Sequence, residues 1–163
     1  MFGRREPARG EWYAVVPGGN AFASLIKPSG PALDVRVPAV PGAASAARRA
    51  VHAVAADQVA NSYAVALAVS EAVTNVVVHA YRDRDPDAEP GHVHVTVSVE
   101  GDEFVVAVAD EGLGIAPRDD SPGAGLGLPI IASLADRIEV QQLGTGTRLL
   151  MGFRLAAASD DAS

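Results

Sequence analysis

The chain predicts an α/β (α+β) fold: a two-layer sandwich with helices on one face of a mixed, mostly antiparallel sheet. Three observations predict it. Val93, Val95, Val97 and Val99 alternate with polar residues up to Gly101 and Asp102, and an almost wholly apolar run follows, the pattern of a hairpin whose second strand is central. Val65, Val69, Val73, Val76 and Val77 recur at three- and four-residue steps over a segment far longer than an ordinary strand. Read in order, the segments spell βααββαββ.

Residues 1–30 read as an N-terminal arm, residues 31–156 as the single domain and residues 157–163 as a small, acidic, fraying tail. Proline and glycine dominate the arm and favour a flexible leader, while Trp12, Tyr13 and Phe22 are the groups through which it would dock. Residues 32–40 alternate Leu33, Val35 and Val37 with Asp34 and Arg36, a half-buried strand closed by Pro38 and Pro41. The alanine-rich residues 42–58 predict a helix with Ser45 as cap and Val51, Val54 and Ala55 inward. A second helix runs from about Ser62 to Tyr81. The charged, proline-bearing residues 82–91 form a loop. Strands over 92–100 and 104–110 make the hairpin. Residues 115–122 are a short lid-like loop, 125–136 a helix, and 138–143 and 147–155 two strands joined by Gly144-Thr145-Gly146.

With 48% hydrophobic residues the chain can bury one sizeable core. The net charge of -7 argues against nucleic acid or an anionic membrane as the main partner, since both attract basic faces. The absence of cysteine excludes disulfides, thiol catalysis and cysteine metal sites, and fits a cytoplasmic setting. No apolar run follows Arg4, Arg5 and Arg9 to make a signal sequence, and no stretch approaches the roughly 20 apolar residues of a membrane span.

Three spaced segments carry the chemistry. In the first, Glu71 and Asn75 stand one helical turn apart and face a ligand together. A carboxamide oxygen suits magnesium, which keeps several waters and takes other oxygens from phosphates, and the glutamate can deprotonate a nearby hydroxyl. Alone, the pair reads as the solvated side of an amphipathic helix. In the second, Asp110 ends an apolar strand before Glu111, Gly112 and Gly114; a buried carboxylate there would accept from an exocyclic amine such as adenine's, with the glycines admitting a flat ring. Alone, it is a turn. In the third, Gly123, Gly125 and Gly127 precede Leu128 and a helix, whose first amides can bind phosphate. The Gly-Lys-Ser/Thr ending of a Walker loop is absent, and Gly-x-Gly-x-Gly is not a dinucleotide fingerprint. Thr147 can bring a hydroxyl near the base or serve as a plain hairpin residue. The order and spacing of the three segments suggest an ATP site. His79 is a helix-end residue rather than a catalyst, and Glu111 a solvated acid.

Leu67-Ala-Val-Ser-Glu71-Ala-Val-Thr-Asn75-Val-Val-Val-His79-Ala-Tyr81, Asp110-Glu-Gly112-Leu-Gly114 and Ser121-Pro-Gly-Ala-Gly-Leu-Gly-Leu-Pro129 together resemble the GHKL ATPase and kinase superfamily, and within it the anti-sigma-factor serine/threonine kinases. The resemblance spans about residues 33–155 and implies the Bergerat ATP-binding fold. By it, Asn75 would bind magnesium and Glu71 would be general base on an incoming serine hydroxyl. Asp110 would contact adenine, with Gly112 and Gly114 shaping its pocket and Thr147 supporting it. Gly123, Gly125, Leu126, Gly127 and the amide of Leu128 would hold the triphosphate. The resemblance implies an ATP-dependent kinase that sequesters a sigma factor and phosphorylates a serine on an anti-anti-sigma (STAS) partner; a homodimer through the first strand and helix follows by analogy. Two other functions stay open: a non-catalytic, nucleotide-binding interaction module, and an accessory histidine-kinase-like ATPase domain. The leader before Leu33 is longer than that family typically carries.

Overall fold

The computed structural model describes residues 31–113 and 127–157. The predicted order is the observed one: β1 (Leu33–Pro38), α1 (Ala43–Ala55), α2 (Ser62–Asn75) continued by a π-helical turn (Val76–Ala80), β2 (His92–Glu100), β3 (Glu103–Asp110), α3 (Gly127–Leu134), β4 (Arg137–Gln142) and β5 (Thr147–Arg154). The strands lie in the order β1-β2-β3-β5-β4, and the sheet expected to be mostly antiparallel is antiparallel at every described pairing. β3 is central, as its unbroken apolar run requires: a strand covered on both faces has no solvent side for polar residues.

Valine alternation sets the register. Val93, Val95 and Val97 of β2, Phe104, Val106 and Val108 of β3, and Leu149, Met151 and Phe153 of β5 face the helices and form one core with them. A fully buried valine contributes about 1.5–3 kcal/mol. Val99, expected on that face, is 37% exposed: β1 begins at Leu33 opposite Val97 and leaves Val99 without a neighbour on that side. The next parity, Val105, Ala107 and Leu150, points to the opposite face and forms a separate small cluster.

α1 is three residues shorter than expected at its C-terminal end, and Ser45 is not its cap: Gly42 takes that position without a side-chain bond. Its inward stripe is Ala43, Ala47, Val51 and Ala55, and these small side chains let α1 lie close against α2. α2 begins at Asn61, whose side-chain oxygen accepts the Ala64 N–H at 3.1 Å, satisfying a donor of the first turn. Val65, Val69, Val73 and Val76 are its fully buried line. Continuity through the π turn makes Ser62–Ala80 a 19-residue helix, long and apolar enough to cross a membrane by length and composition alone, which corrects the expectation that no stretch approaches membrane length. Val65, Val69, Val73 and Val76 belong to the core shared with the sheet, α1 and α3, while Leu67 and Val78 are exposed.

Candidate functional site

Three of the predicted residues, Asp110, Gly112 and Thr147, meet at the C-terminal end of β3. Asp110 keeps the parity of Val106 and Val108, so its carboxylate is turned to the helical side and is 2% exposed. Oδ1 accepts the Gly112 N–H at 2.9 Å, an Asx turn that bends the chain off the strand. Its register partner on β5 is Thr147, which is fully buried and whose hydroxyl oxygen has no hydrogen bond among the described residues. Gly146 precedes it at φ +84°, where a Cβ would run into the Asp110 carbonyl. The two strand ends meet this closely only because that residue has no side chain.

The helix end closes on the same place. The space beside Gly112, expected to admit a ligand ring, is taken by the Ala80 carbonyl, and the Leu113 N–H donates to that oxygen at 2.7 Å. Tyr81, one residue on, donates its hydroxyl to the His92 carbonyl at 2.6 Å and accepts the Glu111 N–H at 3.0 Å, while its ring lies against Gly91. Residues 110–113 are thus tied to the end of the helix that carries Asn75 five residues before Ala80 and Glu71 one turn further back. Both side chains are half-buried. A π turn follows Asn75 directly; such insertions recur at functional sites because they shift the helix face by one residue. α2 also packs on α3, which opens at Gly127 and seats Leu128 against the core. Gly114, Gly123, Gly125 and Leu126 lie outside the described residues.

Asp110, Gly112 and Thr147 are therefore brought together, and Glu71, Asn75 and Leu128 sit on the elements packed around them. Glu111 is exposed and pairs with Arg36 at 3.2 Å, a surface contact worth little. Two residues of this place were not assigned a role from sequence. Tyr81 closes the first segment, and Gly146 immediately precedes Thr147; their position beside chosen residues was the only available signal.

Residues 37–153 match the profile of the histidine kinase-like ATPase domain. The chain belongs to that family. Among its relatives, the anti-sigma F factor of Clostridium acetobutylicum is 32% identical over 108 residues, covering 59% of this chain and 72% of that protein. The anti-sigma F factor of Heyndrickxia coagulans is 35% identical over 101 residues, covering 54% of this chain and 66% of that protein. These relatives set this histidine kinase-like ATPase domain in the GHKL anti-sigma-factor branch. A crystal structure of the RsbU and RsbW domains of Rv1364c from Mycobacterium tuberculosis shares the fold, with TM-score 0.57 and 20% identity over 82% of this chain and 36% of that one. ATP is the nucleotide of the family.

Tyr81 gives this ATPase domain a measurable signature. Burial foremost raises its pKa above the ordinary value of 10.0, with the Asp110 charge adding to the rise. The folded value lies above the unfolded one, so the stability tied to the neutral phenol is complete below the unfolded pKa and is lost as pH rises through the folded one. Tyr81→Phe removes the hydroxyl that bridges the Glu111 N–H and the His92 carbonyl and, with both bonds near solvent, is expected to cost about 1 kcal/mol at neutral pH. Urea unfolding at pH 7.5 and again above pH 10 checks this: the gap between wild type and Tyr81→Phe narrows at the higher pH, and a constant gap contradicts the bridging role.

Proposed function

We propose that this chain is an ATP-dependent protein serine/threonine kinase that acts as an anti-sigma factor in the cytoplasm, binding ATP with magnesium and phosphorylating a serine on an anti-anti-sigma (STAS) partner. The observation that carries the reading is the buried pairing of Asp110 with Thr147, whose hydroxyl is left with hydrogen-bonding capacity, beside the end of the helix bearing Glu71 and Asn75. The donor set fits the ligand. A carboxylate and a hydroxyl suit the amine and ring nitrogens of adenine, and a carboxamide suits a hard cation that draws its remaining ligands from phosphate and water.

In this reading Asp110 and Thr147 hold the base. Asn75 supplies the protein ligand to magnesium, which when bound neutralises charge on the phosphate oxygens. The glycine segment ending at Gly127 and Leu128, with Gly123, Gly125 and Leu126, offers backbone amides to the triphosphate. Glu71 takes the proton of the partner's serine hydroxyl as its oxygen bonds to the γ-phosphorus. The bond from that phosphorus to the β-bridging oxygen breaks, and ADP leaves. The added charge on the partner then weakens its docking.

The test is labelled ATP, magnesium and a STAS-type partner incubated with the full chain. Acid-stable label on a partner serine supports the kinase. Nucleotide binding without label leaves an interaction module, and acid-labile label on a histidine points to the accessory histidine-kinase-like reading. Calorimetry of Asn75→Ala separates the metal from the base: ATP affinity with magnesium is expected to fall about 10- to 100-fold, with the magnesium-free affinity held. Equal loss in both conditions contradicts the metal assignment.

A further inference from the structure

The sheet has a second buried face. Across its middle run Thr96, Ala107 and Leu150 in register, at 8%, 5% and 6% exposure, with Val105 at 2% beside them. All three described helices pack on the other side, and the cluster formed by Val105, Ala107 and Leu150 contains no helix residue. The register partners at the two edges of this row, Asp34 beside Thr96 and Glu139 beside Leu150, are themselves exposed. At the hairpin end Glu103 and Arg137 bond at 2.9 Å over Gly152, but Thr96 and Ala107 are themselves too small to cover one another or Leu150. Burial also draws the Arg148 guanidinium, on the same face beside Ala109, below its ordinary pKa.

We propose that residues 1–30 of this chain lie across the sheet face opposite the helices, with the apolar run at residues 12–16 seated over Thr96, Ala107 and Leu150. The other segments outside the described residues are poorly placed for that face. Residues 114–126 leave from Leu113, bonded to Ala80 in the helical layer, and return at Gly127 of α3, which packs on α2. Residues 158–163 have no apolar side chain larger than alanine, and they follow Ala156, which is bonded to Gln58 at the α1–α2 connection. The leader ends beside edge strand β1, where the Ala32 N–H donates to Val97 O at 2.8 Å. From β1 to β5 is three strand spacings, about 14 Å, and ten extended residues span about 33 Å. The leader also has the right chemistry. Trp12, Tyr13, Val15, Val16, Phe22, Leu25 and Ile26 supply apolar surface, and its four cations against two acids oppose a chain of net charge -7.

This inference is independent of the nucleotide reading, and the chain carries its own probe, because Trp12 is the only tryptophan. In the native chain the emission of Trp12 is expected to be blue-shifted, and its quenching by acrylamide at least about threefold weaker than in urea, as for a buried indole. Ala107→Glu on the sheet and Val15→Asp on the leader are each expected to restore free quenching. Val15→Asp lies outside the helix-sheet core and decides the matter should Ala107→Glu not fold. Native Trp12 quenched as freely as in urea overturns the proposal. So does an exposed Trp12 in a particle of twice the chain mass by light scattering, which assigns the face to a second copy.

Discussion

Glu71→Gln is expected to cut phosphoryl transfer to the partner by about 10²- to 10⁴-fold while leaving ATP affinity within about twofold of wild type. The two side chains have nearly the same shape, so α2 keeps its packing and Asn75 its position four residues on. What is lost is the capacity to take a proton. An amide can still orient the incoming hydroxyl through a hydrogen bond, but it cannot hold the proton as the oxygen–phosphorus bond forms. Binding depends on other groups: Asp110 and Thr147 for the base, Asn75 for the cation. Calorimetry and label transfer on the same preparation measure the two quantities separately. Equal turnover in wild type and Glu71→Gln would remove the general-base assignment, while a matching fall in affinity would make Glu71 a binding residue.

The second large effect is structural. Gly146→Ala is expected to destabilise the domain by about 3 kcal/mol, combining the cost of a left-handed backbone for a residue with Cβ and the overpacking of that Cβ on the Asp110 carbonyl. Both obstacles are backbone, so no side-chain rotation relieves them. For a domain of this size that is a fall in melting temperature of roughly 10 °C. Gly144→Ala, two residues away in the same hairpin, is the control. A Cβ there meets nothing within 4 Å, so a change of at most about 0.5 kcal/mol is expected. If the two variants melt together, the close approach of Gly146 to Asp110 is wrong, and the geometry of Thr147 beside the carboxylate goes with it.

The fold was legible wherever the period of the chain is local. Alternating valines in β2 and the four-residue valine line of α2 state which side faces the core, and Asp110 at the end of an apolar run marks where β3 must stop. Boundaries were less legible. Ser45 looks like a cap, yet Gly42 starts α1, because alanines on either side propagate the helix equally well. The π turn after Asn75 has no propensity signature; Val76, Val77 and Val78 continue the apolar pattern in either geometry. Of the candidate site, the acid, amide and glycine types were visible in order, whereas Tyr81 and Gly146 acquire meaning only from what other strands set beside them.

By itself, then, the sequence determined the succession of strands and helices, the inward valine lines of α2 and of β2 up to Val97, and the residue types brought to the strand and helix ends, since all of these follow from side-chain spacing along a few turns. The tertiary structure alone decided that the space beside Gly112 would be filled by Ala80 rather than left open, that Thr147 would stand buried beside Asp110, and that Thr96, Ala107 and Leu150 would be sealed on the face opposite the described helices. Those outcomes depend on contacts between residues tens of positions apart. Their cost or benefit exists only once the sheet has closed and the neighbouring backbone is there to be met.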